Sequence, residues 1–408
     1  MLQNYLRQPD RVLNSIRFDY QGGRYNGRGV MTWHPDKGFH IEAPVERVGP
    51  LPRRIGIGAG GIVRENDLHS FRMRERNASG WILAPEVIMR DRLDLIIQER
   101  LSVHVPRIII STPVSPRRVD GNTWQGRVLL RLSHNNILPD RVIRQERIND
   151  QELGYSWESS GIQFESEAGQ RVLGRIVERE YLELSYTLPR ESWSHAEAWH
   201  WAEAVCYALC ICLGQTVALL QRELSWGNKL YKDIRSQRPI QDIRPFAPLG
   251  NEPIIERSRF IELSNFLARQ GRGAEVCKRI FFQIAEAAGQ ETWQGTALLL
   301  TTILEAALRT LEGHPFQLND RSFRLRVALE NFRERYLSLS WVNTFERAYE
   351  TYRRLRHRNA HPDWLYEQTG ALSDNQREET FNDMVFLSRF YGYMMLALVG
   401  NRDLPPPP

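Results

Sequence analysis

The chain has 408 residues, 42% hydrophobic and 25% charged, with a formal net charge of +5 and a pI near 9.1. This is ordinary for a soluble protein of two or three cored domains, and basic enough to favour a polyanionic partner without identifying one. The four cysteines form no paired CxxC set, which argues against a zinc framework, and the longest apolar run, 205–220, is short for a membrane span.

No signal peptide is expected, because Met1-Leu-Gln-Asn-Tyr-Leu-Arg has no apolar core after a basic start. With Cys206, Cys210, Cys212 and Cys277 read as small buried hydrophobes in a reducing compartment, the protein is expected to be cytoplasmic, with no cofactor and no membrane partner. Only 4 of the 54 basic residues are lysine. The positions of the 50 arginines therefore carry more information than their number.

Residues 1–190 read as β-rich, with alternating or β-branched runs at 15–20, 29–33, 38–42, 69–74, 93–97, 107–111, 125–132 and 181–186, separated by Gly, Pro, Asn and Asp. The spacing predicts a sandwich or barrel-like sheet. Gly56-Ile-Gly-Ala-Gly-Gly61 matches GxGxxG, but Pro52-Arg-Arg before it and Arg64-Glu-Asn-Asp after it supply neither the strand nor the helix of a dinucleotide fold, so it reads as a glycine-rich loop or hairpin. His34, His40, His69, His104 and His134 are scattered singly and read as ordinary histidines rather than ligands.

The composition changes near residue 190. Ser194 with Glu197 forms a capping box, and an apolar helix is predicted from there to about Leu224. A proline-punctuated connector follows, with Pro239, Pro245, Pro248 and Pro253, whose Ile240, Ile243, Phe246, Leu249 and Ile254 can still pack. The domains are thus read as 1–190, a helix plus connector over 191–257, an all-α domain over 258–402 and a disordered tail over 403–408. Within the all-α domain, helices are predicted at 258–270, 274–289, 294–312, 322–337, 341–360 and 374–399, the last opened by a Ser373 and Gln376 capping box and closed by Gly400. The helices at 294–312 and 374–399 are apolar over a wide arc and are candidates for a dimer face as well as a core.

The chemistry concentrates at the end of the helix at 341–360. Trp341, Phe345, Ala348, Tyr352 and Leu355 recur at steps of four and three, giving one apolar stripe, and Pro362 sets the helix end near His361. At about 100° per residue, Leu355 and Arg356 fall about 60° and 40° from Tyr352. That puts Arg356 on the apolar stripe, where a guanidinium needs a carboxylate, a phosphate or a wet interface. From Asp320 to Asn359 there are ten arginines against five acids, so this stretch alone carries +5. The basic end of the helix also complements the macrodipole, which accounts for Arg353, Arg354 and Arg358.

Arg356-His357-Arg358-Asn359-Ala360-His361 resembles the R-x(4–6)-H motif of HEPN-domain ribonucleases, in which the motif closes a long helix after an earlier apolar helix bearing a mid-helix glutamate. Residues 296–311, with Glu305, look like that earlier helix. The resemblance covers about 255–400 and, with the β-rich N-terminal region, is similar in arrangement to ApeA-like anti-phage abortive-infection proteins. It implies an α+β multidomain chain ending in a HEPN-like bundle, an RNA substrate, and a homodimer whose two motifs meet across a two-fold axis. The N-terminal region would then sense an unknown trigger.

Carried over to this sequence, the candidate catalytic residues are Arg356 as phosphate clamp, His361 as general acid/base and His357, with Asn359 and Glu305 supporting and Arg353, Arg354 and Arg358 on the RNA backbone. Glu305 either orients one of these groups or simply pairs with Arg309 four residues on. A tyrosine that follows the motif histidine by two residues in the nucleotidylation-silenced branch is Asp363 here, so that control is not expected. The competing readings are a non-catalytic RNA-binding or scaffolding protein whose motif stabilises a dimer and, with no convincing ligand cluster, a metal-dependent nuclease.

Overall fold

The computed structural model describes residues 1–20, 23–50, 69–75, 81–88, 96–97, 100–113, 122–133, 140–148, 151–226, 229–249, 257–313, 323–337, 341–360 and 374–400. The glycine-rich 56–61 segment and the tail at 403–408 lie outside these residues. The chain is mixed α+β, and it divides into two compact units. One comprises Met1–Arg131, Gln163–Trp199 and Ala218–Pro239; the other comprises Leu132–Ile162, His200–Val217 and Ile240–Pro408.

In the first unit, strands β1 (Arg11–Tyr20), β2 (Gly23–His34), β3 (Gly38–Pro50), β4 (His69–Glu75), β5 (Trp81–Ile88), β6 (Ile96–Ile97) and β7 (Arg100–Pro113) pair antiparallel. The order β3-β2-β1-β4-β5-β7 is closed by pairing of β3 with β7, from Phe39 opposite Val105 to Pro44 opposite Arg100. Over the paired residues this closure covers the edges that β3 and β7 would otherwise present. Leu13, Ile16, Phe39, Ile41, Val105 and Ile108 fill it, each at most 1% exposed, with each such side chain contributing about 1.5–3 kcal/mol on burial. Helix α1 (Leu2–Leu6) adds Leu2 and Tyr5 to this core, and the Tyr5 hydroxyl donates to the Arg235 carbonyl at 2.9 Å.

Strand β7 has two successive partners along one edge. Up to Val105 it pairs with β3, and from Arg107 it pairs with β14 (Lys229–Arg235). Pro106, which has no backbone N–H, stands between the two pairings. The ladder continues through β13 (Ala218–Trp226), β8 (Thr123–Arg131), β12 (Tyr181–Pro189) and β11 (Arg171–Val177). On β14 the fully buried Asp233 accepts from Arg107 at 2.9 Å, from Arg222 at 2.9 Å and from Arg235 at 2.8 Å. Burial alone would raise its pKa, but the Arg235 and Arg222 charges outweigh it and hold the carboxyl below the usual range.

Helix α2 (His195–Leu213) begins at the expected capping box, with the Ser194 N–H donating to Glu197 at 2.9 Å and the Glu197 N–H donating to the Ser194 hydroxyl at 3.3 Å. It ends at Leu213, however, and not near Leu224. Gly214 takes a left-handed φ of +61°, where a side chain would collide with Ala247. The rest of the apolar run is β13, buried on both faces from Ala218 to Leu224. A strand of that kind has no alternation to separate it from a helix.

Strand β9 (Asp140–Ile148) of the second unit pairs antiparallel with β10 (Gln151–Glu165), which belongs to that unit as far as Ile162. The helices are α3 (Arg257–Ala268), α4 (Arg272–Ala288), α5 (Trp293–Glu312), α6 (Leu325–Tyr336), α7 (Val342–Ala360) and α8 (Asp374–Val399). Each falls within a few residues of its predicted span. Helix α5 is capped by Thr292, whose hydroxyl accepts from the Gly295 N–H at 3.2 Å, and closes on left-handed Gly313. The Ser373 cap predicted for α8 lies outside the described residues.

The connector packs in part: Ile240, Phe246 and Leu249 are half-buried, and Ile254 lies outside the described residues. Ile243 is fully buried, and the Gln241 side chain donates to the Ala285 carbonyl at 2.9 Å. Helix α8 turns its apolar arc inward: Leu387, Phe390, Tyr391, Met394 and Met395 are fully buried within the chain. Each of the two proposed dimer-face helices nevertheless keeps one large exposed apolar side chain among the described residues, Leu298 on α5 and Phe381 on α8. Among the described residues no helix is long and apolar enough to cross a membrane.

Candidate functional site

The predicted stripe of α7 is the buried one. Trp341, Ala348 and Leu355 are 0% exposed, Phe345 5% and Tyr352 7%. They pack toward α8, where Phe345 meets Phe390 edge-on at 5.1 Å and Trp341 lies 5.6 Å from Tyr393. This packing fixes the rotation of α7 and thereby the directions in which its last two turns present their arginines.

Arg356 does not lie on that stripe. Its side chain is 54% exposed, which corrects the helical-wheel placement. The wheel locates a Cβ, whereas a long side chain can lie along apolar surface and carry its charge to the edge. The guanidinium does find the carboxylate it needs: Nη1 donates to Glu305 Oε2 of α5 at 3.1 Å and to the Tyr352 hydroxyl. Glu305 is shared, because its other oxygen accepts from Arg309 Nε at 3.1 Å. The pair with Arg309 and a contact with Arg356 are therefore present together, since one carboxylate has lone pairs enough for two guanidiniums. Arg309 is only 8% exposed and lies over the Phe323 ring at 4.2 Å. Burial raises the pKa of Tyr352, opposed by its hydrogen bond with Arg356.

The remaining arginines divide into two kinds. Arg354 makes a two-pronged pair with Asp383 of α8, Nη2 to Oδ1 at 2.7 Å and Nε to Oδ2 at 3.1 Å, and also donates to Thr351 at 3.1 Å. That is an anchoring geometry. Arg353 is 62% exposed and pairs loosely with Glu350 at 3.5 Å. His357 is exposed on the last turns. His361 lies outside the described residues, as do the side chains of Arg358 and Asn359. The structure thus brings Arg356, Glu305 and Tyr352 together, and sets Arg354 apart on Asp383.

Two groupings had no sequence signal, because strand register creates them. One is the arginine cluster on Asp233. The other joins His40 and His104, read as solitary, which are directly opposed on β3 and β7 with ring centroids 4.5 Å apart and His40 Nε2 2.9 Å from Glu42. Cys206, Cys210 and Cys277 are buried thiols outside any disulfide. Among the described residues no group of three or more His, Cys, Asp or Glu is arranged to hold a metal ion. Comparison with known proteins finds no family model, no curated protein and no solved structure that matches the chain.

Proposed function

We propose that this protein is a metal-independent endoribonuclease of the HEPN type, acting in the cytoplasm as a homodimer through its helical region. We further propose that it is a toxin or anti-phage abortive-infection effector gated by its N-terminal β-rich region. The reading is supported by one observation above the others. Arg356, which opens the Arg356-to-His361 motif near the end of α7, is held half-exposed by Glu305 and Tyr352 and so keeps a charged face toward solvent.

RNA cleavage without a metal needs a base for the 2′-hydroxyl proton, an acid for the leaving 5′-oxygen and a cation for the charge developing on the phosphoryl oxygens. The 2′-oxygen attacks phosphorus, the P–O5′ bond breaks, and the products carry a cyclic phosphate and a 5′-hydroxyl. His361 serves as acid and base, one from each copy, because imidazole titrates near neutrality. Arg356 serves as the clamp because it cannot lose its proton. His357 and Asn359 support them, and Arg353 and Arg358 attract the backbone. Arg354, tied to Asp383, contributes charge from an anchored position.

RNA incubated with the protein in EDTA should yield fragments with cyclic-phosphate ends, and Arg356→Ala or His361→Ala should abolish them. Cleavage unaffected by both substitutions overturns the assignment. A second reading is favoured by the Glu305 ion pair itself: a guanidinium already held by a carboxylate fits a non-catalytic RNA-binding or scaffolding protein whose motif stabilises the dimer. That reading predicts salt-sensitive RNA binding without turnover, and dissociation of the dimer on Arg356→Ala.

A further inference from the structure

A cleft of about 230 Å³ opens between α6 and α7, and Tyr349 stands at the end nearer the motif. Its floor is apolar, formed by Leu329, Val342 and Phe345. Its rim is charged but not basic, with Arg326 and Arg333 against Glu330, Glu346 and Glu350. Beyond Glu350 the sign reverses, because the last turns of α7 carry Arg353, Arg354, Arg356, His357 and Arg358 and no acid. A phosphate is therefore favoured at the helix end over the cleft. A flat, uncharged ring with polar edges does not need that excess of cations.

The cleft also has the parts such a ring needs. Tyr349 is partly exposed and nearly parallel to the Tyr352 ring at 6.5 Å, and Arg353 lies over it at 6.0 Å. The rim ion pairs are loose and solvated: Arg326 and Glu330 are 3.5 Å apart and 65% and 52% exposed, and Arg353 and Glu350 are also 3.5 Å apart. Their carboxylates can turn to a ligand at small cost. Tyr349 and Arg356 are seven residues apart on one face, about 10 Å along the helix axis, which is within reach of neighbouring nucleotides.

We propose that this cleft takes one unpaired, amino-bearing RNA base, stacked on Tyr349 with its exocyclic amino group donating to the rim carboxylates, while the phosphates beside it run to Arg353 and Arg356. The inference rests on the endoribonuclease reading and names the substrate element that reading leaves open. Stacking on an aromatic side chain is tolerant of sequence, and a carboxylate accepting from the amino group of cytosine adds a preference that uracil cannot satisfy.

The test is equilibrium fluorescence anisotropy with labelled 2′-O-methyl decamers of cytidine and of uridine, which cannot be cleaved, on the full chain. The cytidine decamer should bind about five- to tenfold more tightly than the uridine one. Tyr349→Ala should weaken cytidine binding by about five- to a hundred-fold, with Tyr349→Phe close to the wild type. Glu330→Ala combined with Glu346→Ala and Glu350→Ala should remove the cytidine preference, with circular dichroism melts confirming that each variant folds. Salt-sensitive binding with no base preference and no response to Tyr349→Ala overturns the cleft and leaves the nuclease reading standing. A base preference with RNA cleavage that survives both Arg356→Ala and His361→Ala overturns the nuclease reading and leaves the cleft. Failure to bind either decamer at low salt overturns both.

Discussion

Arg309→Ala and Arg356→Ala should affect the protein in opposite ways, although both guanidiniums donate to the same Glu305 carboxylate. Arg309 is 8% exposed, so its removal costs a buried charged hydrogen bond, about 1.5–3 kcal/mol, and a cation–π contact with Phe323 of about 1 kcal/mol. Arg356 is 54% exposed, where an ion pair contributes at most about 1 kcal/mol. With about 2–4 °C per kcal/mol for a unit of this size, the melting midpoint should fall by about 5–16 °C for Arg309→Ala and by no more than about 4 °C for Arg356→Ala. Cleavage should follow the reverse order. Loss of a charge-stabilising donor costs about a hundred- to a thousand-fold in rate, so Arg356→Ala should be inactive while Arg309→Ala, assayed below its melting point, retains activity. Thermal melts followed by circular dichroism, paired with a labelled-RNA cleavage assay, measure both quantities. If Arg356→Ala lowers the midpoint as far as Arg309→Ala does, the guanidinium is a structural strut and the argument for a clamp fails.

Further tests address the scaffold. Gly392→Ala should destabilise the protein even though alanine is the better helix former by about 1 kcal/mol, because its Cβ would fall on the Pro248 carbonyl oxygen; a rise in the urea midpoint would refute that packing. Asp233→Asn leaves Arg107, Arg222 and Arg235 gathered without a carboxylate and should cost about 3–5 kcal/mol, read from the same unfolding curves. Burial would raise the pKa of Glu183, but the Met1 ammonium, the Leu2 N–H and Arg175 outweigh it and draw it down to about 2. A depressed carboxylate stabilises the folded state above its unfolded pKa and loses that effect as pH falls through the folded value. Glu183→Gln should therefore be less stable than wild type at pH 6, and the difference should shrink as pH falls from about 4.5 toward 2; a constant difference rules out the titration.

The helical region was legible because its signals are local. Periodicity over 19 to 26 residues in α5, α7 and α8, Gly313 as a stop and the stripe from Trp341 to Leu355 all lie within single helices. The β-rich region was legible only as a class. Ring closure, the Asp233 cluster and the pairing of His40 with His104 depend on register between distant strands, which no single segment encodes. The site was legible in part for the same reason. The sequence identified Glu305 and Arg356 as residues of interest, but that they meet depends on how α5 packs on α7, and the anchoring of Arg354 depends on Asp383 of α8.

The position of Pro106 on β7 has a consequence for how much the ring can change. Phe39 lies opposite Val105 on one side of it, and Arg235 lies opposite Arg107 on the other. A shift of either ladder by one residue would bring a nitrogen that cannot donate into a paired position, and would turn the ring's apolar residues outward. A single imino acid thus acts as a stop in both directions, fixing the register of the ring closure and the start of the adjoining sheet together. Any signal carried by β7 must therefore travel as bending or twisting of a strand of fixed registry, because sliding is closed to it.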